Sequence, residues 1–170
     1  MEETLKEIKI IALDVDGVLT DNKVHIDELG NIRKVFTYKD LATIERLRPY
    51  FKVILITSSD RVNDKLAEYM GLPYHHVRFG GRRDKKQHMF RYLQKRGLSW
   101  RNLLFVGDGM ADKTLLQAAA LAFCPSDAEP EIRQLEAVYK LGTKGGDGIV
   151  EELFYKILHR EISRRRMKHG

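Results

Sequence analysis

The chain has 170 residues, of which 43% are hydrophobic and 32% are charged. This length and composition predict one globular domain over residues 1–170, and no internal repeat or low-complexity stretch occurs. The only cysteine, Cys124, excludes an intrachain disulfide. No apolar stretch is long enough for a signal sequence or a membrane span. We therefore expect a cytoplasmic protein that has no membrane partner.

The formal net charge is +6 and the sequence pI is about 9.4. Much of the excess positive charge lies near the C-terminal end, in a predicted helix and tail at about 149–170. Its cationic side chains are Arg160, Arg164, Arg165, Arg166 and Lys168. A basic surface attracts phosphorylated metabolites, nucleic acids or acidic membranes. A solvated helix end explains the same residues equally well.

Short apolar stretches and amphipathic stretches alternate from the N-terminus onward. The apolar stretches predict buried strands at 8–13, 53–56, 76–79, 103–106 and 121–124. The amphipathic stretches predict helices at 38–47, from Ser59 or Asp60 to Met70, and at 84–97, 113–120, 129–137 and 149–164. This alternation predicts an α/β protein with a parallel sheet between two helical layers, a three-layer α/β/α, Rossmann-like architecture.

The segment between the first strand and the first of these helices has a different pattern. Polar and apolar residues alternate over 24–36, and the alternation is interrupted at 28–31, where Gly30 and Asn31 favour a turn. The pattern predicts a β-hairpin insertion at about 22–37, directly after the first strand.

Five polar side chains follow the predicted strands. They are Asp14 and Asp16 after the first strand, Thr57 after the second, Lys85 after the third and Asp108 after the fourth. The carboxyl ends of parallel strands meet at one edge of a sheet, and ligands bind there. We therefore expect these side chains to converge on one site.

Asp14 and Asp16 are suited to phosphoryl transfer. Residues two apart in an extended chain point to the same side, so both carboxyl groups approach one substrate. One carboxylate can attack phosphorus to give an aspartyl phosphate. The other can protonate the leaving oxygen and then activate water. We predict that Asp14 is the nucleophile and Asp16 the general acid and base; a capped turn is the structural alternative for such a pair on its own.

Asp108 and Asp112 add two carboxylates to the same edge. Several carboxylates around one point repel each other unless a cation lies among them, and Mg²⁺ prefers such oxygen ligands. We predict Mg²⁺ as the cofactor. Asp14 and Asp108 would bind it through their side chains and Asp16 through its backbone carbonyl, while Asp112 orients a metal-bound water.

A transferring phosphoryl group spreads negative charge over its oxygens and needs donors around it. Thr57 offers its hydroxyl as one donor. The backbone amides that follow it, beginning at Ser58, open a predicted helix, where anions bind well. Lys85 supplies a full positive charge, and Lys86 is the alternative for that role. We predict Thr57, Ser58 and Lys85 as phosphoryl-binding residues.

These residues resemble the four sequence motifs of haloacid dehalogenase-type phosphatases. Segment 14–21, Asp-Val-Asp-Gly-Val-Leu-Thr-Asp, resembles the first motif. Thr57, Lys85 and the pair Asp108/Asp112 match the second, third and fourth in order and spacing. The resemblance covers about residues 8–158, implies a magnesium-dependent phosphomonoesterase, and selects Lys85 over Lys86.

Three further segments are similar to the 3-deoxy-manno-octulosonate-8-phosphate phosphatase subfamily and to its relatives that act on nonulosonate phosphates. They are Phe-Thr-Tyr-Lys-Asp at 36–40, Gly-Gly-Arg-Arg-Asp-Lys at 80–85 and Gly-Gly-Asp-Gly at 145–148. The similarity implies a small phosphorylated sugar or sugar acid as the substrate. It also makes Lys39 a candidate for binding the substrate carboxylate, with Arg82 and Arg83 as further candidates.

The chain departs from this subfamily at four places, mainly at positions that contact the substrate. It has Lys-Asp-Leu at 39–41 where the subfamily has Arg-Asp-Gly, and Ser-Ser at 58–59 where it has Gly-Arg. Gly109 replaces the second of two adjacent aspartates, and Glu151 lies near the place of an arginine. The catalytic residues are unchanged, so the departures concern which sugar acid is bound.

The spacing of the motifs leaves no room for a cap domain. The first gap holds only the hairpin and one helix, and the second holds one helix and one strand. Capless phosphatases similar to this chain close their sites by forming tetramers, in which a neighbouring subunit excludes water. We therefore expect a homotetramer with the hairpin as its contact element.

Two other functions are compatible with parts of the sequence. A binding or regulatory module would keep the pocket without turnover. A nucleic-acid end phosphatase would use the basic tail as a phosphate clamp and bind in a salt-dependent manner, but no nucleic-acid-binding motif supports it. His75 and His76 suggest a metal, yet no carboxylate or cysteine lies at suitable spacing, which favours a structural role.

Overall fold

The computed structural model describes residues 1–59, 62–77 and 84–169, with side chains described as far as Met167. Eight strands lie in these ranges: β1 Ile10–Leu13, β2 His25–Ile26, β3 Ile32–Arg33, β4 Lys52–Thr57, β5 Tyr74–His76, β6 Leu103–Val106, β7 Leu121–Cys124 and β8 Val138–Lys140. The α-helices of the same ranges are α1 Glu2–Glu7, α2 Tyr38–Leu47, α3 Asn63–Met70, α4 Lys85–Gln94, α5 Lys113–Leu116, α6 Pro130–Arg133, α7 Ile149–Leu153 and α8 His159–His169.

Six strands form one parallel sheet in the order β5-β4-β1-β6-β7-β8. The central strand β1 is buried along its whole length. Ile11 and Leu13 point into one hydrophobic core, and Ile10 and Ala12 point into the other. A strand that is covered on both faces needs apolar residues at every position, which explains its continuous apolar run.

The two cores lie on opposite faces of the sheet. One contains buried side chains of α1, α2, α3, α7 and α8. The other contains buried side chains of α4, α5 and α6. The predicted three-layer α/β/α fold is therefore confirmed.

The hairpin insertion is confirmed and is shorter than predicted. β2 and β3 pair in antiparallel fashion through two residues each, outside the main sheet. Asp27 stabilises the turn, because its Oδ1 accepts hydrogen bonds from the backbone N–H groups of Leu29 (3.0 Å) and Asn31 (2.9 Å). Between β1 and β4 the chain forms only this hairpin and α2, so no cap domain lies there.

Several predicted boundaries were wrong. Helix α3 begins at Asn63, after Val62 in a left-handed conformation, so Ser59 does not cap it; Asp60 lies outside the described residues. In place of the predicted strand at 76–79 the structure has β5 at Tyr74–His76. Residues 78 and 79 lie outside the described residues, as Asp60 does.

The sequence pattern also extended two helices too far. Helix α5 ends at Leu116 because the following turn leads the chain back into the sheet, and the Ala120 N–H donates to the Trp100 carbonyl. Helix α6 ends at Arg133, and strand β8, which was not predicted, follows it. β8 forms because Val138 pairs with Ala122 at the sheet edge, a tertiary contact that helical periodicity does not reveal.

The C-terminal helix α8 packs at the amino-terminal edge of the sheet, opposite to the strand ends that carry the predicted site. The guanidinium of Arg165 donates to the backbone carbonyls of Leu5 (3.2 Å), Ile8 (3.0 Å) and Tyr50 (3.0 Å). It also pairs with Glu161 at 2.9 Å. Arg165 therefore joins α8 to the segments that precede β1 and β4. Within the described residues, no helix is long and apolar enough to cross a membrane.

We predict that Arg165→Met lowers the free energy of unfolding by about 2–4 kcal/mol, because it removes the guanidinium donor from the carbonyls of Ile8 and Tyr50 and from the Glu161 carboxylate. Urea unfolding followed by circular dichroism measures the change. The control is Arg166→Met, since Arg166 is exposed and its Nε donates to the Tyr50 hydroxyl; we expect a loss below about 0.5 kcal/mol. Equal losses in the two variants would contradict this role of Arg165.

Candidate active site

Two loops meet at the carboxyl edge of the sheet because β1 and β6 are neighbours. Asp14 follows β1 and Asp108 follows β6. Gly17 lies where the loops touch, with φ of +79°. A Cβ atom at this position would lie 1.9 Å from Asp108 Oδ2. Only glycine permits both this backbone conformation and this approach of the loop to the carboxylate.

Three carboxyl groups form a buried cluster at this edge. Asp14, Asp108 and Asp112 each place an oxygen within 4.8 Å of the others. Lys85, the first residue of α4, lies among them: its Nζ is 2.9 Å from Asp14 Oδ1 and 2.6 Å from Asp112 Oδ1. We call these four residues the acidic cluster. The structure thus brings Lys85 to the predicted position, whereas Lys86 is exposed.

Protein donors occupy both carboxylate oxygens of Asp112. Its Oδ1 accepts from Lys85, and its Oδ2 accepts from the backbone N–H groups of Asp108 (3.0 Å) and Gly109 (3.2 Å). Asp112 therefore fixes the loop that carries Asp108. This arrangement suits a residue that orients the site more than one that supplies free oxygens.

The cluster shifts the pKa values of its members. Burial, and then the charge of Asp112, raise the pKa of Asp14 well above its usual range, against the opposing effect of Lys85. Burial and Asp112 likewise raise the pKa of Asp108 to about 7. Burial alone would lower the pKa of Lys85, but the charges of Asp14 and Asp112 outweigh it and raise this pKa.

The cluster carries more negative than positive charge when its carboxyl groups are ionised, because three of them surround one ammonium. Lys85 balances only one of the three carboxylates, so ionising Asp14 and Asp108 together is unfavourable. A hard divalent cation held by carboxylate oxygens would remove this imbalance. The donor set of the cluster therefore fits the predicted metal.

Asp16 belongs to an adjoining polar group. Its Oδ1 accepts from Lys34 Nζ at 2.5 Å, and its Oδ2 accepts from Asn63 Nδ2 at 2.9 Å. Asn63 also donates to the Thr57 hydroxyl at 3.2 Å. Thr57 lies at the end of β4, where its buried hydroxyl accepts from the Ser59 N–H at 3.2 Å. The prediction that Thr57 and Asp16 lie at one edge thus agrees with their positions.

Ser58 and Lys39, both predicted to bind the substrate, differ in their positions: the hydroxyl of one is buried and the side chain of the other is exposed. The Ser58 hydroxyl is buried, and no group in the described ranges bonds to it. The Lys39 side chain is exposed at the start of α2 and lies 3.9 Å from Glu151, outside the acidic cluster. Two of the four departures from the subfamily, at 39 and 151, therefore lie next to each other. Arg82 and Arg83 lie outside the described residues.

Asp40, in the 36–40 segment that resembles the subfamily, joins α2 to α7. Its Oδ1 accepts from the backbone N–H groups of Val150 (2.7 Å) and Glu151 (3.2 Å) at the start of α7. Burial raises the pKa of Asp40 to about 6. The glycine segment also supports the site, because a Cβ at Gly145 would lie 2.1 Å from the Gly17 carbonyl oxygen.

The histidines lie apart from the cluster. The Nδ1 atom of His75 is 3.0 Å from Nε2 of His88, and the Nε2 atom of His76 is 3.2 Å from the carbonyl oxygen of Ser58. In the described part of the chain, the acidic cluster supplies the only group of three or more His, Cys, Asp or Glu that is arranged to hold a metal. Cys124 is buried in β7.

Sequence reasoning missed two residues of the site, Lys34 and Asn63. Lys34 lies within an alternating segment and has the composition of a solvated hairpin. Asn63 lies in a stretch whose pattern indicates only a helix. Their polar type gave a weak signal, and the contact that joins them depends on how the hairpin packs.

No family model matches the chain, but the known proteins to which it is similar agree with its fold. The 3-deoxy-D-manno-octulosonate 8-phosphate phosphatase KdsC of Haemophilus influenzae is 27% identical over 161 residues, which cover 93% of this chain and 87% of that protein. A cobalt-bound structure of the phosphatase from the same species has a TM-score of 0.80 and 27% identity, and covers 92% of this chain and 90% of its own.

A structure from Legionella pneumophila, described as a HAD superfamily (subfamily III A) hydrolase, has a TM-score of 0.85 and 30% identity. The match covers 96% of this chain and 88% of that chain. These similarities, together with the fold, show that the chain belongs to the haloacid dehalogenase superfamily and is a phosphoric monoester hydrolase.

Proposed function

We propose that the protein is a magnesium-dependent phosphatase that hydrolyses a small phosphorylated sugar acid, such as a 3-deoxy-octulosonate 8-phosphate or a nonulosonate phosphate, through an aspartyl phosphate. The observation that carries the mechanism is the acidic cluster, in which Lys85 contacts the Asp14 carboxylate at 2.9 Å. The substrate class rests on the curated relatives, which are named as phosphatases of 3-deoxy-D-manno-octulosonate 8-phosphate.

In the first step, a carboxylate oxygen of Asp14 attacks phosphorus while the bond from phosphorus to the ester oxygen breaks. Asp16 donates a proton to the departing oxygen, and the sugar leaves as an alcohol. Asp14 retains the phosphoryl group as an acyl phosphate. Lys85 offsets the repulsion between the anionic substrate and the nucleophile, since its ammonium is bonded to Asp14.

In the second step, water attacks the same phosphorus atom and Asp16 takes a proton from it. The bond between phosphorus and the Asp14 oxygen breaks, which releases inorganic phosphate and restores both carboxyl groups. Thr57, Ser58 and Lys85 would contact the phosphoryl oxygens throughout. The buried Ser58 hydroxyl supports this role, because a phosphoryl oxygen would satisfy a group that has no partner among the described residues.

Asp14, Asp108 and the backbone carbonyl of Asp16 would hold Mg²⁺, with Asp112 orienting a water ligand. The bound ion supplies positive charge that offsets the charge on the phosphoryl oxygens. The residues fit the ion because three carboxyl groups surround one ammonium, and a divalent cation would offset the remaining negative charge.

The hairpin supports the expected homotetramer. It carries apolar side chains that are largely exposed, including Ile26 and Leu29, and exposed Tyr38 follows it at the start of α2. Apolar side chains grouped in this way favour a contact with another chain. We propose that a neighbouring subunit covers the open site of each protomer through this surface.

The two alternative functions have less support. No contact in the described residues favours a binding module over an enzyme. A nucleic-acid clamp would have to act from the amino-terminal edge of the sheet, where Arg165 binds carbonyls of its own chain.

We predict that Asp14→Asn lowers kcat for p-nitrophenyl phosphate by about 10⁴-fold or more, since an amide cannot form the acyl phosphate. The matched control is Asp64→Asn, which removes an exposed carboxylate on α3 and should leave kcat within about twofold. Circular dichroism checks that both variants fold. Retention of activity in Asp14→Asn would refute the mechanism.

We predict that Mg²⁺ binds more tightly as the pH rises from 6 to 8. The pKa of Asp108 is about 7 without the ion, so below this pH a proton must leave before the ion binds, and the apparent Kd should rise up to about tenfold per pH unit. Titration calorimetry in two buffers that differ in ionisation enthalpy measures both affinity and proton release. Binding that is independent of pH and releases no proton would contradict the assignment.

We predict a tetramer, with four times the 19.7 kDa mass of the chain, in multi-angle light scattering. Leu29→Glu should dissociate it, because it places a charge on an exposed apolar position of the hairpin. Glu28→Gln at the neighbouring exposed position is the control. A wild-type monomer at micromolar concentration would exclude the proposed assembly.

A further inference from the structure

We infer that Lys34 and Asn63 are positioning residues that hold the Asp16 carboxyl group in place for proton transfer. This inference rests on the proposed role of Asp16. It assigns a contribution to catalysis to the hairpin, whose other proposed role is contact between subunits.

The burial of Lys34 is unusual for its place in the fold. Its side chain is 3% exposed, whereas that of Arg33, the preceding residue of the hairpin, is 77% exposed. Lysine is almost never buried without a partner, because removing its charge from water is unfavourable. The hairpin therefore packs so that one of its cations points inward, and the partner is Asp16 at 2.5 Å.

Asn63 completes the arrangement from helix α3. Its side chain is fully buried. Its Oδ1 accepts from Lys34 Nζ at 3.0 Å, and its Nδ2 donates to Asp16 Oδ2 at 2.9 Å. This orientation of the amide matches donors with acceptors on both sides, whereas the flipped amide would face the ammonium with its NH₂ group.

Three separate parts of the chain thus fix one carboxyl group. The loop after β1 supplies Asp16, the hairpin holds Oδ1 through Lys34, and α3 holds Oδ2 through Asn63. A group that transfers a proton must lie within hydrogen-bond reach of the reacting oxygen, and small displacements reduce the rate strongly. The two contacts restrict the rotation of the carboxyl group and so keep it in reach.

Lys34 acts through Asp16 in this arrangement. Its ammonium is enclosed and already bonded to Asp16 and Asn63, so it contributes to catalysis by holding the carboxyl group. Its loss should therefore depend on how much help the leaving group needs. A poor leaving group, such as an alkoxide, requires a proton from Asp16, whereas p-nitrophenolate departs without one.

The test compares kcat/KM of wild type and Lys34→Met on three substrates: p-nitrophenyl phosphate, phenyl phosphate and glycerol 2-phosphate. This parameter reports steps up to departure of the leaving group, so it isolates the acid role of Asp16. We expect a loss of about 10²-fold or more for glycerol 2-phosphate, less than about fivefold for p-nitrophenyl phosphate, and an intermediate loss for phenyl phosphate. Lys34→Arg should restore part of the loss.

Controls separate positioning from stability. Lys65→Met removes an exposed lysine two residues from Asn63 and should leave all three values within about twofold. Asn63→Ala should show the same dependence on leaving group. The double variant should lose little more than the worse single variant, because both act on the same carboxyl group.

Equal losses on all three substrates would show a merely structural role and overturn the inference. A rise in KM at unchanged kcat that is the same for all three substrates would show substrate binding by Lys34, and would overturn it as well. Asp14→Asn separates this failure from failure of the proposed function: if Asp14→Asn is inactive while Lys34→Met matches wild type, the phosphatase mechanism stands and the positioning role falls.

Discussion

The buried contact of Lys85 with Asp14 and Asp112 is the interaction on which the rest of the site depends. Two loops from neighbouring strands bring three carboxyl groups together, and such a group of charges is unfavourable in a protein interior. The ammonium at the start of α4 offsets part of this cost. Lys85 balances only one of the three carboxylates, so the cluster fits the proposed divalent cation, whose charge would in turn offset that of an anionic substrate.

The site divides its chemistry between two adjoining polar groups. The acidic cluster carries the proposed nucleophile and the proposed cation ligands, while Asp16 lies among Lys34, Asn63 and Thr57. The loop from Asp14 through Gly17 belongs to both groups. Its conformation is supported from below by Gly145, which approaches the Gly17 carbonyl more closely than any other residue type would allow. The proposed nucleophile, Asp14, and the proposed proton donor, Asp16, are thus held in a fixed relation by one short segment.

The sequence predicted what depends on local pattern. The strand ends that carry Asp14, Thr57 and Asp108 were evident from apolar runs, and the order of a parallel α/β sheet placed them at one edge. Strand β8 and the early end of α5 were not predictable, because edge pairing and a return turn decide them. Lys34 and Asn63 were missed for the same reason: each looks ordinary along the chain, and the contact that defines them appears only when the hairpin packs against α3.

The most direct test of the account is to trap the covalent intermediate. Asp16→Asn enzyme, mixed with p-nitrophenyl phosphate and Mg²⁺ and quenched in acid, should accumulate an acyl phosphate, because departure of p-nitrophenolate needs no proton but the attacking water needs a base. Peptide mass spectrometry should then find the mass of one phosphoryl group on Asp14. A phosphoryl group on another residue, or nitrophenol release by the wild type with no covalent phosphate on Asp14 in any variant, would contradict the account.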